Sequence, residues 1–295
     1  MTVTATEARV PEPSPIALSP TRSTFAASRA ALQALIVRDL VVLKKNFGVF
    51  VARTLIQPFL LVFVFLYVLP TIGQEIGGPQ GGSQTDFATV LVPGVVAVSI
   101  MFQGIQAVAL PMATEFGFTR EIEDRVQAPC PIWLVAIAKV LSGAVQSVLV
   151  ALLVFPMAAV VHAEGVQADF SVNWLVLLTV IPIACVAMAS LGLVLGTSFE
   201  ARNIGAMFGF VVLPLTFLGG TYYQWTALSS IEVGGFPWLQ ALTLLNPLIY
   251  ATEGMRAALT SLSHLPLYVI YPVLLAFLVV FLVLGLRNFR RRVLL

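Results

Sequence analysis

Six apolar runs, at residues 49–69, 87–113, 132–161, 174–197, 204–220 and 267–286, constrain this chain more than any other feature. Each is close to or longer than the roughly 20 residues a helix needs to cross about 30 Å of hydrocarbon. With 59% hydrophobic and 10% charged residues in 295, and a mean hydropathy of +0.96, too little polar surface remains to cover a soluble domain of this length. Inside lipid every backbone polar group must find its partner within the chain, which selects helices. The expected fold class is an all-α polytopic membrane protein: six transmembrane helices, an N-terminal amphipathic interfacial helix, and re-entrant outer helices between spans 5 and 6.

Orientation follows from where Lys and Arg fall rather than from the net charge of +2. Arg9, Arg22, Arg29, Arg38, Lys44 and Lys45 precede the first span, with Arg53 at its entrance. Arg120, Arg125, Arg202, Arg287, Arg290, Arg291 and Arg292 fall in alternate connections and at the C-terminal end. The intervening loops GQEIGGPQGGSQTD and HAEGVQAD contain neither residue type. With Lys139 near enough to a span end to snorkel, all of the 16 basic residues but Arg256 share one side. The protein is therefore expected in the cytoplasmic membrane with both termini in the cytoplasm.

Residues 1–24, rich in Ala, Thr, Pro and Ser, are expected to form a disordered cytoplasmic tail without a signal-peptide core. In 25–47 the side chains of Phe25, Leu32, Ile36, Leu40, Leu43 and Phe47 fall on one narrow helical stripe, with Arg38 and Lys45 pointing elsewhere. That pattern describes a helix lying in the membrane interface, with Arg38, Lys44 and Lys45 toward water and headgroups. Residues 48–295 then form one transmembrane domain.

The stretch EFGFTREIEDR, 115–125, places six ionised side chains in eleven residues between the second and third spans. Glu115, Arg120, Glu121, Glu123, Asp124 and Arg125 must sit in water while their flanks sit in lipid. Phe118, Ile122 and Val126 recur every four positions, so a short amphipathic helix is expected over 115–128, closed by Pro129 and Pro131. It is either a solvated connector or a surface that grips another protein.

Between spans 5 and 6, residues 222–262 contain the fifteen-residue stretch WLQALTLLNPLIYAT, interrupted by Asn246 and Pro247. A full crossing there would invert the last span and carry the Arg cluster of 287–292 outside, so a re-entrant dip from the outer face is expected. Gly219, Gly220, Gly234, Gly235 and Pro237 supply turns, and Tyr222, Tyr223, Trp225, Phe236 and Trp238 suit an outer interface. Glu253 and Arg256, three apart, either satisfy one another as a local ion pair or shape an outer gate.

Recognised chemistry is sparse. The three lysines never follow a glycine, so the nucleotide-binding Gly-x-x-x-x-Gly-Lys loop is missing. His162 and His264 lie far apart, and Cys130 and Cys185 offer neither a disulfide framework nor a metal cluster. No catalytic, cofactor or metal residues are expected in this chain, and span interiors lack the carboxylate groups an ion-coupled carrier needs.

LNPLIYATEGMRAAL, 245–259, resembles the C-terminal motif of ABC-2 type transporter permeases, with its Asn246-Pro247 pair, Tyr250, Glu253 and Arg256 on a re-entrant helix. PLTFLGGTYYQW, 214–225, is similar to the turn with which that family leaves its fifth span, though Gln224-Trp225 stands where many relatives carry a proline. TREIEDRVQAPCPIWLVAIAKV, 119–140, looks like its connection between spans 2 and 3. The resemblance, closer to the drug-efflux and nodulation-factor branch, implies two permease copies or paralogues and two P-loop ATPase subunits carrying ATP and Mg. It makes the charged stretch a coupling helix docked on the ATPase, and implies export of an amphipathic drug, polyketide or lipid. A lipid-linked polysaccharide or glycolipid exporter is the alternative within the same architecture. A lipid-modifying membrane enzyme would need grouped polar residues that the sequence lacks, and an ion-coupled carrier would need paired broken spans. Membrane lipid is an expected partner and nucleic acid is not.

Overall fold

The computed structural model describes residues 24–74, 84–117, 131–166 and 168–294, which are helical with no named strand among them. In chain order the helices are α1 (Thr24–Lys45), α2 (Phe47–Thr71), α3 (Gln84–Gly117), α4 (Ile132–Val160), α5 (Trp174–Ser198), α6 (Ile204–Phe217), α7 (Trp238–Thr243), α8 (Pro247–Leu259) and α9 (Leu267–Leu294). Helices α2 to α5 and α9 are long and apolar enough to cross a membrane. Helix α6 stands where the fifth crossing was expected, but its fourteen residues reach only about 21 Å at 1.5 Å each. It is shorter than the hydrocarbon layer of about 30 Å. Pro214 has no N–H to give to the carbonyl four residues back, and the preceding turn, Phe208–Val212, is wound as a π-helix.

Helix α3 is the axis of the molecule. Of its most apolar window 89% is buried, against 17% for α2 and for α9, whose outer faces are left to lipid. Small residues bring α5 against it: a Cβ on Gly192 would lie 2.9 Å from Ile105 Cα, and one on Gly196 would lie 2.8 Å from Ala109 Cα. A membrane offers little hydrophobic force between helices, so such backbone-close packing supplies much of the cohesion. The side chains of Leu32, Ile36, Leu40 and Leu43 lie on the half-buried side of α1, which packs on α4, whereas Phe47 of the same stripe is exposed. Its opposite side is also apolar, with Val37, Val41 and Val42 exposed beside Arg38.

Two connections show how lost backbone bonds are replaced. Pro70 leaves the Leu66 carbonyl without its intrahelical donor, and the Ala163 N–H beyond α4 takes its place at 2.8 Å. Before α5, the N–H groups of Ser171 and Asn173 donate to the carbonyls of Leu259 (3.0 Å) and Ala258 (2.7 Å), satisfying the C-terminal end of α8.

Candidate functional site

Helix α8 is short, yet every residue in it is buried. It carries a charged pair to the interior: Arg256 Nη1 donates to Glu253 Oε1 at 2.6 Å, and both side chains are fully shielded from solvent. In a low-dielectric interior a charge must have its capacity filled, and the partners come from three other parts of the chain. Glu253 Oε1 also accepts from the Trp225 N–H (3.2 Å), and Oε2 accepts from the Leu265 N–H (2.9 Å). Arg256 Nη2 donates to the Gly220 carbonyl and reaches the Val90 carbonyl of α3 at 3.5 Å. The pair thus fastens α8 to the turn after α6, to the start of α9 and to α3. Neither charge faces open space.

The other residues of the motif explain why the chain folds this way locally. Asn246 caps α8, its Oδ1 accepting from the Leu248 N–H (2.9 Å), while its Nδ2 donates to the Leu215 carbonyl (2.7 Å) near the end of α6. Pro247 occupies the first helical position, where its missing N–H costs nothing. Tyr250 donates its hydroxyl to the Leu244 carbonyl at 2.9 Å, holding α7 to α8. Gly219 has no Cβ where Leu248 packs, and Gly220 turns the chain at φ +68°, presenting its carbonyl to Arg256. Gly219 and Gly220, distant in sequence from Asn246, Pro247, Tyr250, Glu253 and Arg256, are therefore brought together with them. Beside them a cleft of about 460 Å³, with Asp86, Gln224, Thr226 and Ser263 among its lining residues, opens at the same end of the bundle. Phe236 and Trp238 are exposed there, and Tyr222, Tyr223 and Trp225 are half-buried.

The opposite end, which holds the start of α2 and the C-terminal end of α9, corrects two expectations. Glu115 was placed in a solvated loop, and Lys139 near a span end, snorkelling. Instead α3 runs on to Gly117, and Glu115 is buried where it accepts from Lys139 Nζ on α4 at 2.9 Å. The cause is pairing: opposite charges on adjacent helices can stay inside because each satisfies the other. Their arrangement was legible in outline, since two neighbouring spans joined by a short connection bring the end of one beside the start of the next. Arg120, Glu121, Glu123, Asp124 and Arg125, with the rest of 118–130, lie outside the described residues.

Arg292, which the sequence placed only in the basic C-terminal cluster, has a further structural role. Helix α9 continues past 286, and Arg292 Nη1 donates to the Thr197 carbonyl (3.1 Å) and the Phe199 carbonyl (3.0 Å), closing the C-terminal end of α5. Its guanidinium also lies 4.8 Å from the centre of the Phe116 ring on α3. On α1, Arg38 pairs with its neighbour Asp39 at 2.7 Å, and Lys44 and Lys45 are exposed in the last turn.

Comparison with known proteins places the chain in a family. Residues 30–260 match the model of the ABC-2 type transporter family. The chain is similar to the inner membrane transport permease YadH of Escherichia coli strain K12, with 28% identity over 233 residues that cover 78% of this chain and 84% of that protein. Proteins of the same name from Escherichia coli O157:H7 and Shigella flexneri match to the same extent. A family match that takes in α2 to α8, including the whole buried motif and the connection between α3 and α4, identifies a multi-pass transport permease. The chain belongs to the ABC-2 type transporter family.

Proposed function

We propose that this protein is the membrane subunit of an ATP-driven exporter of an amphipathic or hydrophobic molecule, such as a drug, a polyketide or a lipid. Its termini face the cytoplasm, it works with a second permease copy or a paralogue, and ATP with Mg is handled by a separate P-loop ATPase. The observation that carries this reading is the course of α3. Near one end its Val90 carbonyl meets the buried Arg256. At the other it leads through Glu115 into the charged segment 118–130. Roughly 38 Å of continuous helix, with Pro93 and Pro111 inside it, separate Val90 from Glu115. A push on the charged segment by a partner would therefore arrive at the turn and helix that close the far end. Glu115 braces the lever against α4 through Lys139, and Arg120, Glu121, Glu123, Asp124 and Arg125 supply the charges for docking.

The test is co-purification with the candidate ATPase, followed by ATPase and transport assays in lipid. Replacing Glu121 and Asp124 together by Lys is expected to leave insertion intact and to abolish transport coupled to hydrolysis. Normal transport by the well-inserted double variant would overturn the coupling role.

A further inference from the structure

On the side of the bundle that holds the start of α2, polar side chains appear at helical spacing on three otherwise apolar spans. Arg53 and Thr54 lie on α2, Gln103 and Gln106 on α3, and Ser142 and Gln146 on α4. They line one groove of about 790 Å³, whose wall includes the apolar side chains of Val49, Phe50 and Leu110. Polar groups at this depth are costly and call for a reason. Helix-to-helix bonding explains part of it: Thr54 donates to Gln103 Oε1 (3.3 Å), and Gln103 Nε2 donates to Gln146 Oε1 (3.1 Å). Bonding alone would leave a closed seam. What stands here is an open groove of ligand size.

Arg53 decides its chemistry. The guanidinium makes one bond, to Gln106 Oε1 at 3.3 Å, and joins no ion pair among the described residues. The other charges lining the groove are matched: Arg38 pairs with Asp39, and Lys139 with Glu115. Among the described residues that line the groove, three cations stand against two carboxylates, and the cation without an ion pair is Arg53, beside amides that can donate further.

We propose that this groove binds an anionic amphiphile. Its phosphate or carboxylate head is held by Arg53 and the Gln106 amide, and its tail lies along Val49, Phe50 and Leu110. Naming the cytoplasmic leaflet as the source rests on the orientation proposed above; the binding itself rests on the groove and requires neither an ATPase nor a direction of transport.

The full chain purified in neutral detergent is titrated with dioleoyl phosphatidylglycerol, with dioleoyl phosphatidylcholine and with inorganic phosphate, and bound ligand is read by native mass spectrometry. Phosphatidylglycerol is expected to be retained about tenfold better than phosphatidylcholine, as one charge-assisted contact implies. Arg53→Gln is expected to abolish that preference, Arg53→Lys to keep most of it, and Arg202→Gln, at an exposed pair away from the groove, to leave it unchanged. Equal retention of the two lipids by the unaltered chain, or undiminished preference in a monodisperse Arg53→Gln protein, would overturn the site. Inorganic phosphate binding as tightly as the lipid would overturn the need for a tail. A failed titration leaves the coupling experiment untouched, because no nucleotide, partner or membrane enters it.

Discussion

Arg256 is the residue on which the far end of the molecule depends. Its charge is buried with Glu253 as the counter-ion, and backbone carbonyls from two other segments meet its Nη2, while its Nε is buried without a partner. Truncation to Ala leaves a carboxylate stranded in a low dielectric, at a cost of about 3–5 kcal/mol. A marked fall in the apparent thermal midpoint in detergent is expected, and, under the function proposed above, impaired export with retained association with the ATPase. The double variant Glu253→Gln with Arg256→Met should lose less than Arg256→Ala alone, because no orphan charge remains. A double variant as unstable as the single one would show that the pair is not the source of the effect. The motif was legible because Asn246, Pro247, Tyr250, Glu253 and Arg256 lie within eleven residues. Their partners at Gly220, Trp225, Leu265 and Val90 come from elsewhere, and nothing local in the sequence names them.

At the scale of elements, apolar run length located the crossing helices, while helix ends and close contacts escaped it. Helix α3 was expected over 87–113 and extends to Gly117 because Lys139 receives Glu115; α9 was expected to stop at 286 and continues because Arg292 has carbonyls of α5 to cap. Both extensions depend on a charge finding a partner far away in sequence, which hydropathy cannot report. The contact between α3 and α5 was equally hidden, since the spacing of Gly192 and Gly196 acquires meaning only against Ile105 and Ala109. Gly192→Val or Gly196→Val would force the two backbones apart. Overpacking of this kind costs about 1–3 kcal/mol or more. Loss of monodisperse protein on size-exclusion chromatography is expected for either variant, whereas Gly205→Ala, at a position with open space around its Cα, should behave as the unaltered chain.

For the whole molecule, burial is graded from α3 outward to α2 and α9, and polar groups among the described residues gather around the sealed pair of α8 with the cleft beside it, and in the groove beside α2, whose lining includes the pair between α3 and α4. The gradient assigns different mechanical properties to different helices. Where α3 and α5 touch backbone to backbone there is no layer of side chains to slide or re-pack, so the two behave as one stiff body. All three helices contain prolines, but α2 is far less buried than α3 and carries the π-wound stretch Phe63–Val68, and it contributes compliance instead. Spin labels on exposed sites of α3 and α5 are expected to keep a fixed separation through the nucleotide cycle of the assembled complex, while separations from α3 to α2 change. A changing distance between α3 and α5 would contradict this division. If the protein is driven from one end, as proposed above, stiffness along the axis sets how much of the stroke reaches the other, and softness at the rim sets where the membrane is disturbed. The glycines of α5 therefore do more than permit close packing: they determine which part of the protein can act as a piston and which as its seal.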